Sequence, residues 1–219
     1  DITVNLLEDC HSSMNEFDML TDEEVSKLLK SASSSTSALD PLPTPLTKKC
    51  SSALIPMITK IINLSLQSGV MPVSLKQAVV TPLVKKSDIS TEEMSNYRPI
   101  SNLCFLGKLI EKAAVNQIQT YLSQNDLQNP TQSAYKRQHS VETALVRVQN
   151  DILSSLDQRK EVLLVLLDFS SAFDTIEHPV LLDRLYHLYG LDGVVLKWIT
   201  SYLSQRSHVV KVDDAFSQS

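Results

Sequence analysis

A chain of 219 residues can bury roughly 70% of its unfolded surface, room for one large core or two modest ones. With 42% hydrophobic and 21% charged residues it has an ordinary globular composition, and its four glycines argue against a Gly-rich phosphate loop. The net charge of −5 disfavours nucleic acid as a partner, yet it is unevenly spread: residues 1–75 carry −4, residues 76–160 carry +3 and residues 161–219 carry −4. A basic middle between acidic flanks permits a local anion-binding surface without requiring one.

The three cysteines, Cys10, Cys50 and Cys104, form neither a metal spacing nor a disulfide framework, so a reducing compartment is expected. No signal peptide is expected from its opening residues, and no apolar run approaches the ~18 residues of a membrane span. The expectation is a soluble, intracellular chain, cytoplasmic or nuclear.

In chain order, Thr21-Asp22-Glu23-Glu24 has the form of a capping box and opens a helix through Leu28, Leu29 and Ala32. The stretch SSSTSALDPLPTP then reads as a linker. Apolar residues at helical spacing predict one helix over 46–67, closed by Gly69. Ala78 to Val84 predicts a strand, with Pro82 marking an edge or bulge. A polar loop or hairpin tip covers 85–96. Ser101 is expected to begin a long helix ending near Asn125, and Ser140 to cap a second one running to about Leu156; the apolar faces of both are read as core. Between them lies the loop TQSAYKRQH. Six apolar residues, Val162 to Leu167, predict a strand ending on Asp168. Pro179, a favoured first helical residue, starts a helix to Tyr189. A further helix around 196–203 and a strand in HVVKVDD complete an α+β pattern without strict alternation and without internal repeats.

The strand that ends on Asp168 raises a chemical question, because an isolated carboxylate taken out of water costs several kcal/mol unless something positive or donating meets it. Either Asp168 emerges at a solvated edge or it holds a cation. A phosphatase-type phosphoacceptor requires a second Asp two residues on, where Ser170 stands. A receiver-type phosphoacceptor requires acids after a first N-terminal strand, and Glu8 and Asp9 follow none. A local cap, or a metal ligand in phosphoryl transfer, where two cations sit roughly 3.5–4 Å apart, remain.

Four blocks carry a resemblance that chooses between these. LLDFSSAFDTIEHPVLLDRL closely resembles the first catalytic motif of reverse transcriptases from LINE-type (non-LTR) retrotransposons. NYRPISNLCFLGKLIEK resembles their fingers motif, QSAYKRQHSVETAL the block between the two, and ALDPLPTPLTKKC with MPVSLKQAVVTPLVKK the stretch upstream of the fingers. The similarity covers about residues 35–219 in the right order, and within the class it is nearest the jockey and chicken-repeat type elements.

The resemblance implies the fingers and partial palm of a right-hand polymerase, truncated before the later palm motifs and thumb. Residues 1–75 become an N-terminal helical extension, 76–160 the fingers and 161–219 the partial palm. Asp168 becomes the first of three catalytic aspartates, binding magnesium with help from the backbone carbonyl of Phe169. Phe173 matches the aromatic under the incoming sugar, which clashes with a ribose 2′-hydroxyl; taken alone it reads as a core Phe on a short helical turn. Asp174 binds no metal in the family and is read as a cap. Lys85 and Arg98 match positions contacting the nucleotide triphosphate, and Arg suits phosphate because its planar fork donates two bonds at once. Gln132, Tyr135 and Lys136 fall in the block expected to line the template path, where Ala134, Tyr135 and Lys136 replace the commoner Gly, Phe and Arg. Losing that Gly matters only where the backbone needs a positive φ.

The implied partners are an RNA template, a DNA primer and deoxynucleoside triphosphates, and the implied cofactor is Mg2+. The Gly-x-Pro-Gln-Gly motif and the aromatic-x-Asp-Asp hairpin of the family are absent from these 219 residues. Asp213-Asp214 stands at the wrong place in the order and reads as a polar turn. The chain is therefore expected to be a polymerase fragment, inactive by itself. The rival expectation is a degenerate or repurposed nucleic-acid-binding or structural piece.

Overall fold

The Thr21 side chain accepts a hydrogen bond from the Glu24 backbone N–H while the Glu24 carboxylate accepts one from the N–H of Thr21. This reciprocal cap starts helix α1 (Asp22–Ser31), whose Val25, Leu28 and Leu29 are buried at the helical spacing the sequence predicts. The structure, a computed structural model, describes residues 12–85, 90–169, 171–213 and 215–217. Within it the chain divides into two compact units, Asp1–Tyr121 with His178–Ser219, and Leu122–Glu177.

In the first unit the single helix expected over 46–67 is two, α2 (Thr44–Lys49) and α3 (Ser51–Ser68). They part at Cys50, whose ψ of 17° departs from the helical value. Gly69 closes α3 in the left-handed region at φ 66°, as expected of a C-cap glycine. Strand β1 (Ala78–Val84) has the bounds read from the sequence. Its partner is strand β2 (Tyr97–Leu103), antiparallel to β1 with Ala78 opposite Leu103 and Val84 opposite Tyr97, so the segment between them connects a hairpin, one of the two expectations for 85–96. The helix expected from Ser101 accordingly begins later, as α4 (Phe105–Gln124). The correction has a plain cause, since Pro99 has no N–H to give a helix and biases Arg98 to extended geometry. Within the 85–96 loop, Met94–Asn96 forms a 3-10 turn, and residues 86–89 lie outside the described residues.

Helices α6 (His178–His187) and α7 (Gly193–Leu203) follow, and Asp192 caps α7. Strand β3 (His208–Val212) pairs parallel with β1 over residues 78–80 and antiparallel with β4 (Ala215–Phe216), giving the sheet order β2-β1-β3-β4. Pro82 thus sits beyond the stretch of β1 that β3 covers, where one side of the strand is open. The β3–β4 turn carries Asp213 at φ 51°, in keeping with a polar turn, while Asp214 lies outside the described residues.

The core lies among α1, α3, α4 and α7: Leu29, Ile62, Leu66, Leu109, Ile110, Val195 and Trp198 are buried together. Trp198 donates its indole N–H to Ser65 Oγ at 3.1 Å and meets Phe17 edge-on. Gly190, at φ 64°, lets the chain before α7 approach Ser12, whose carbonyl oxygen would lie 2.0 Å from any added Cβ.

The second unit holds α5 (Val141–Asp157), started by a capping box in which Ser140 and Thr143 each receive the other's backbone N–H. Its bounds match the expectation, but its apolar face is not core: no residue of α5 is buried. The predicted strand over 162–168 is likewise absent. Residues 160–169 adopt no regular structure, with Leu163 88% and Leu166 84% exposed. A strand apolar on both faces needs neighbours for its N–H and C=O groups and a cover on each face. The described residues supply neither. The whole is a mixed α+β structure with a small mixed sheet.

Candidate functional site

Asp168 ends the apolar run on the second unit and is exposed. Its carboxylate is therefore not taken out of water. It makes no hydrogen bond or ion pair among the described residues, and none of them competes for it. Phe169 beside it is 77% exposed. Among the described residues no group of three or more His, Cys, Asp or Glu side chains is placed to hold a metal ion.

Phe173 lies in the turn that follows. The backbone N–H groups of Asp174 and Thr175 both donate to Ser171 O, at 2.9 and 3.1 Å, making one helical turn. The local geometry read for Phe173 holds, but its burial does not: the ring is 74% exposed, so it is no core residue. Asp174, expected to be a cap, does not act as one. Its backbone closes the turn, while its side chain bonds nothing among the described residues.

The QSAYKR loop is tied down by Gln132 Nε2 donating to Ala134 O at 3.2 Å, His139 N–H donating to Lys136 O at 3.3 Å, and Arg147 of α5 donating to Pro130 O at 3.0 Å. The positive φ falls at Tyr135 (58°) and not at Ala134, so replacing the family's Gly by Ala costs no strain at that position. The Tyr135 ring, 83% exposed, meets that of Phe173 edge-on, with centroids 6.4 Å apart and planes at 75°. Two residues expected in different roles are thereby brought together. No spacing in the sequence signals that contact.

On the first unit, Leu83 pairs with Arg98 across β1 and β2, which puts their side chains on one sheet face; the alternation carried one residue past β1 puts Lys85 there too. Arg98 is exposed with no hydrogen bond or ion pair among the described residues, leaving its fork free. Lys85 instead donates its Nζ to Ser95 O at 2.7 Å, which bridges the ends of the β1–β2 connection.

Sequence reasoning missed a polar group inside this unit. Burial pushes the Glu111 carboxyl up, against the hydrogen bond from Tyr202 and the charges of Arg206 and Lys108, and one of its oxygens has no partner. The Tyr202 hydroxyl is pushed up to about 12 by burial and by Glu111. Its ring stacks on Trp198 at 5.4 Å and carries the Arg206 guanidinium 4.6 Å over its centroid. Lys76 is buried nearby, donating to the carbonyls of Ser201 and Ser204. Burial lowers its pKa.

Comparison with known proteins bears directly on these residues. The family described as "Reverse transcriptase (RNA-dependent DNA polymerase)" matches residues 84–218, more than half the chain and inclusive of every candidate site residue. The chain is 28% identical over 153 residues to the RNA-directed DNA polymerase from mobile element jockey of Drosophila melanogaster, covering 70% of this chain and 16% of that protein. It is 28% identical over 158 residues to the probable RNA-directed DNA polymerase from transposon BS of the same species, covering 72% and 17%. A polyprotein from the type-1 retrotransposable element R2 of Popillia japonica is 27% identical over 151 residues, covering 69% and 20%. The chain thus spans at most a fifth of the length of these relatives. In sequence it is a member of the reverse transcriptase family, related to the polymerases of jockey-type, non-LTR elements.

Proposed function

We propose that this chain is the fingers and first part of the palm of an RNA-directed DNA polymerase that adds deoxynucleotides to a DNA primer on an RNA template. In that polymerase residues 1–75 are an N-terminal extension, 76–160 the fingers and 161–219 the partial palm. The observation that carries the reading is the family match over 84–218, a span that includes an exposed Asp168 whose carboxylate has no partner among the described residues.

The residues present suit magnesium, which is bound through one or two carboxylates together with substrate phosphates and water, not by a cage of protein ligands. Asp168 and the Phe169 carbonyl would hold it. The chemistry it supplies when bound is Lewis-acid stabilisation of charge in a two-metal phosphoryl transfer. Arg98, with its free guanidinium fork, and Lys85 neutralise and orient the triphosphate. Phe173 stands under the sugar and excludes the 2′-hydroxyl by its bulk. Gln132, Tyr135 and Lys136 line the template path.

One observation favours a second reading, a non-catalytic nucleic-acid-binding or structural segment. Among the described residues no cluster of metal-ligating side chains accompanies Asp168. Primer extension on an RNA template in magnesium separates the two readings, using a polymerase polypeptide that contains this segment, wild type against Asp168→Asn. Loss of extension by about 10³-fold or more, the order seen when a group stabilising transition-state charge is removed, supports catalysis. Extension by Asp168→Asn near the wild-type rate overturns it.

A further inference from the structure

We propose that Tyr135 is a positioning residue for Phe173, holding that ring in place and so setting how strongly deoxyribose is preferred over ribose; this rests on the reading of Phe173 as the residue under the sugar. Each ring is otherwise poorly held. Phe173 is 74% exposed on a single turn closed by two hydrogen bonds to Ser171 O. Tyr135 is 83% exposed on a loop. Among the described residues the only aromatic ring against either is the other, edge-on at 6.4 Å and 75°. That separation and tilt lie inside the attractive range for an aromatic pair.

A bulky side chain rejects a 2′-hydroxyl only while it cannot swing aside. A ring free to change rotamer on an exposed turn would yield, and displacement of a positioning group by about 1 Å is enough to cost large factors in rate. The Tyr135 ring supplies the missing lateral constraint. The backbone that carries it, at φ 58°, a conformation unfavourable for a residue with a Cβ, is held by the Gln132–Ala134 and Lys136–His139 hydrogen bonds around it. The phenol hydroxyl makes no hydrogen bond among the described residues. The ring therefore carries the effect, and Phe should replace Tyr at this position.

The readout is the ratio of kcat/KM for deoxyribonucleotide over ribonucleotide, measured with a polymerase polypeptide containing this segment. Tyr135→Ala should lower the ratio about three- to ten-fold, the factor carried by an aromatic pair of this geometry, and Tyr135→Phe should restore it. Phe173→Val should collapse the ratio, and adding Tyr135→Ala to it should change nothing further. An unchanged ratio in Tyr135→Ala, or an additive loss in the double variant, overturns the proposal and leaves Tyr135 a template contact. The contact is also read on this chain itself by NMR, as ring-to-ring NOEs between Tyr135 and Phe173. Their absence overturns the proposal while the polymerase reading stands. A polypeptide with no Asp168-dependent extension overturns that reading, and the proposal with it.

Discussion

The two units of the chain are built from similarly apolar sequence and treat it in opposite ways. In the first, α1, α3, α4 and α7, together with Phe17, Met71 and Leu191, bring sixteen buried apolar side chains into one cluster. In the second, α5 buries none of its residues, and the run from Val162 to Leu167 lies in solvent. The difference is not in periodicity, for α1 and α5 both begin with capping boxes and both are amphipathic. It is in the supply of partners. Helical stability in water comes mainly from burying an apolar face, and a face with nothing opposite it adds nothing. Apolar residues are therefore a structural core in one unit and an open surface in the other, and it is the open surface that carries Asp168, Phe173 and Tyr135.

This contrast is broken most sharply by paired truncations. Leu29→Ala or Ile62→Ala, at sites 1% and 0% exposed, should destabilise the first unit by about 2–5 kcal/mol, through lost transfer energy and the cavity left behind. Leu166→Ala, at a site 84% exposed, should stay within about 0.5 kcal/mol. Urea unfolding followed by the single Trp198 fluorescence measures all three. A Leu166 variant as damaging as the Leu29 variant would mean that the open run is in fact packed.

A titration sharpens the same contrast inside the buried unit. The Tyr202 hydroxyl is raised from its ordinary value of 10 to about 12, first by burial and then by the charge and hydrogen bond of Glu111. A group whose folded pKa exceeds its unfolded value keeps its full stabilising contribution below the unfolded value and loses it as pH rises through the folded one. Stability should therefore fall between about pH 10 and 12. Tyr202→Phe should be less stable than wild type at neutral pH, because Glu111 loses its donor, but should lose less between pH 10 and 12. Parallel loss in the two proteins across that range would show that the Tyr202 hydroxyl is not held neutral by its surroundings.

What could be read from the sequence divides along the same line. Local signals were legible: both capping boxes, the Gly69 cap and the bounds of β1 are set by residues adjacent in the chain. Strand β2 was not, because Ser101 reads as a helix start while Pro99 and a pairing with β1 make the segment extended. The strand over 162–168 was misread for the converse reason: its composition demands a strand, but a strand exists only with neighbours. At the candidate site, residue identity came from resemblance, and the family match covers all of those positions. The Tyr135–Phe173 contact and the Glu111–Tyr202 pair depend on folding distant segments together, and no local pattern encodes them.

The smallest expected effect is also the most even test of the comparison, because it makes the same change at two equivalent caps. Thr21 and Ser140 each accept a hydrogen bond from the third backbone N–H of their helix, at 3.3 Å in both cases. Removing the hydroxyl as Thr21→Ala or Ser140→Ala leaves one helix N–H without its partner and costs the local helix about 1 kcal/mol. At α1 that cost reaches the whole first unit, since Val25, Leu28 and Leu29 lie in its core and cannot leave without exposing it. Global stability should fall by about 1 kcal/mol in Thr21→Ala. At α5 no buried residue transmits the loss, so Ser140→Ala should leave the unfolding midpoint of the first unit unchanged and speed hydrogen exchange only along α5. Exchange measured by mass spectrometry on both variants resolves the two segments. A Ser140→Ala change that lowers the global midpoint as much as Thr21→Ala would show that α5 is packed into the folding unit after all.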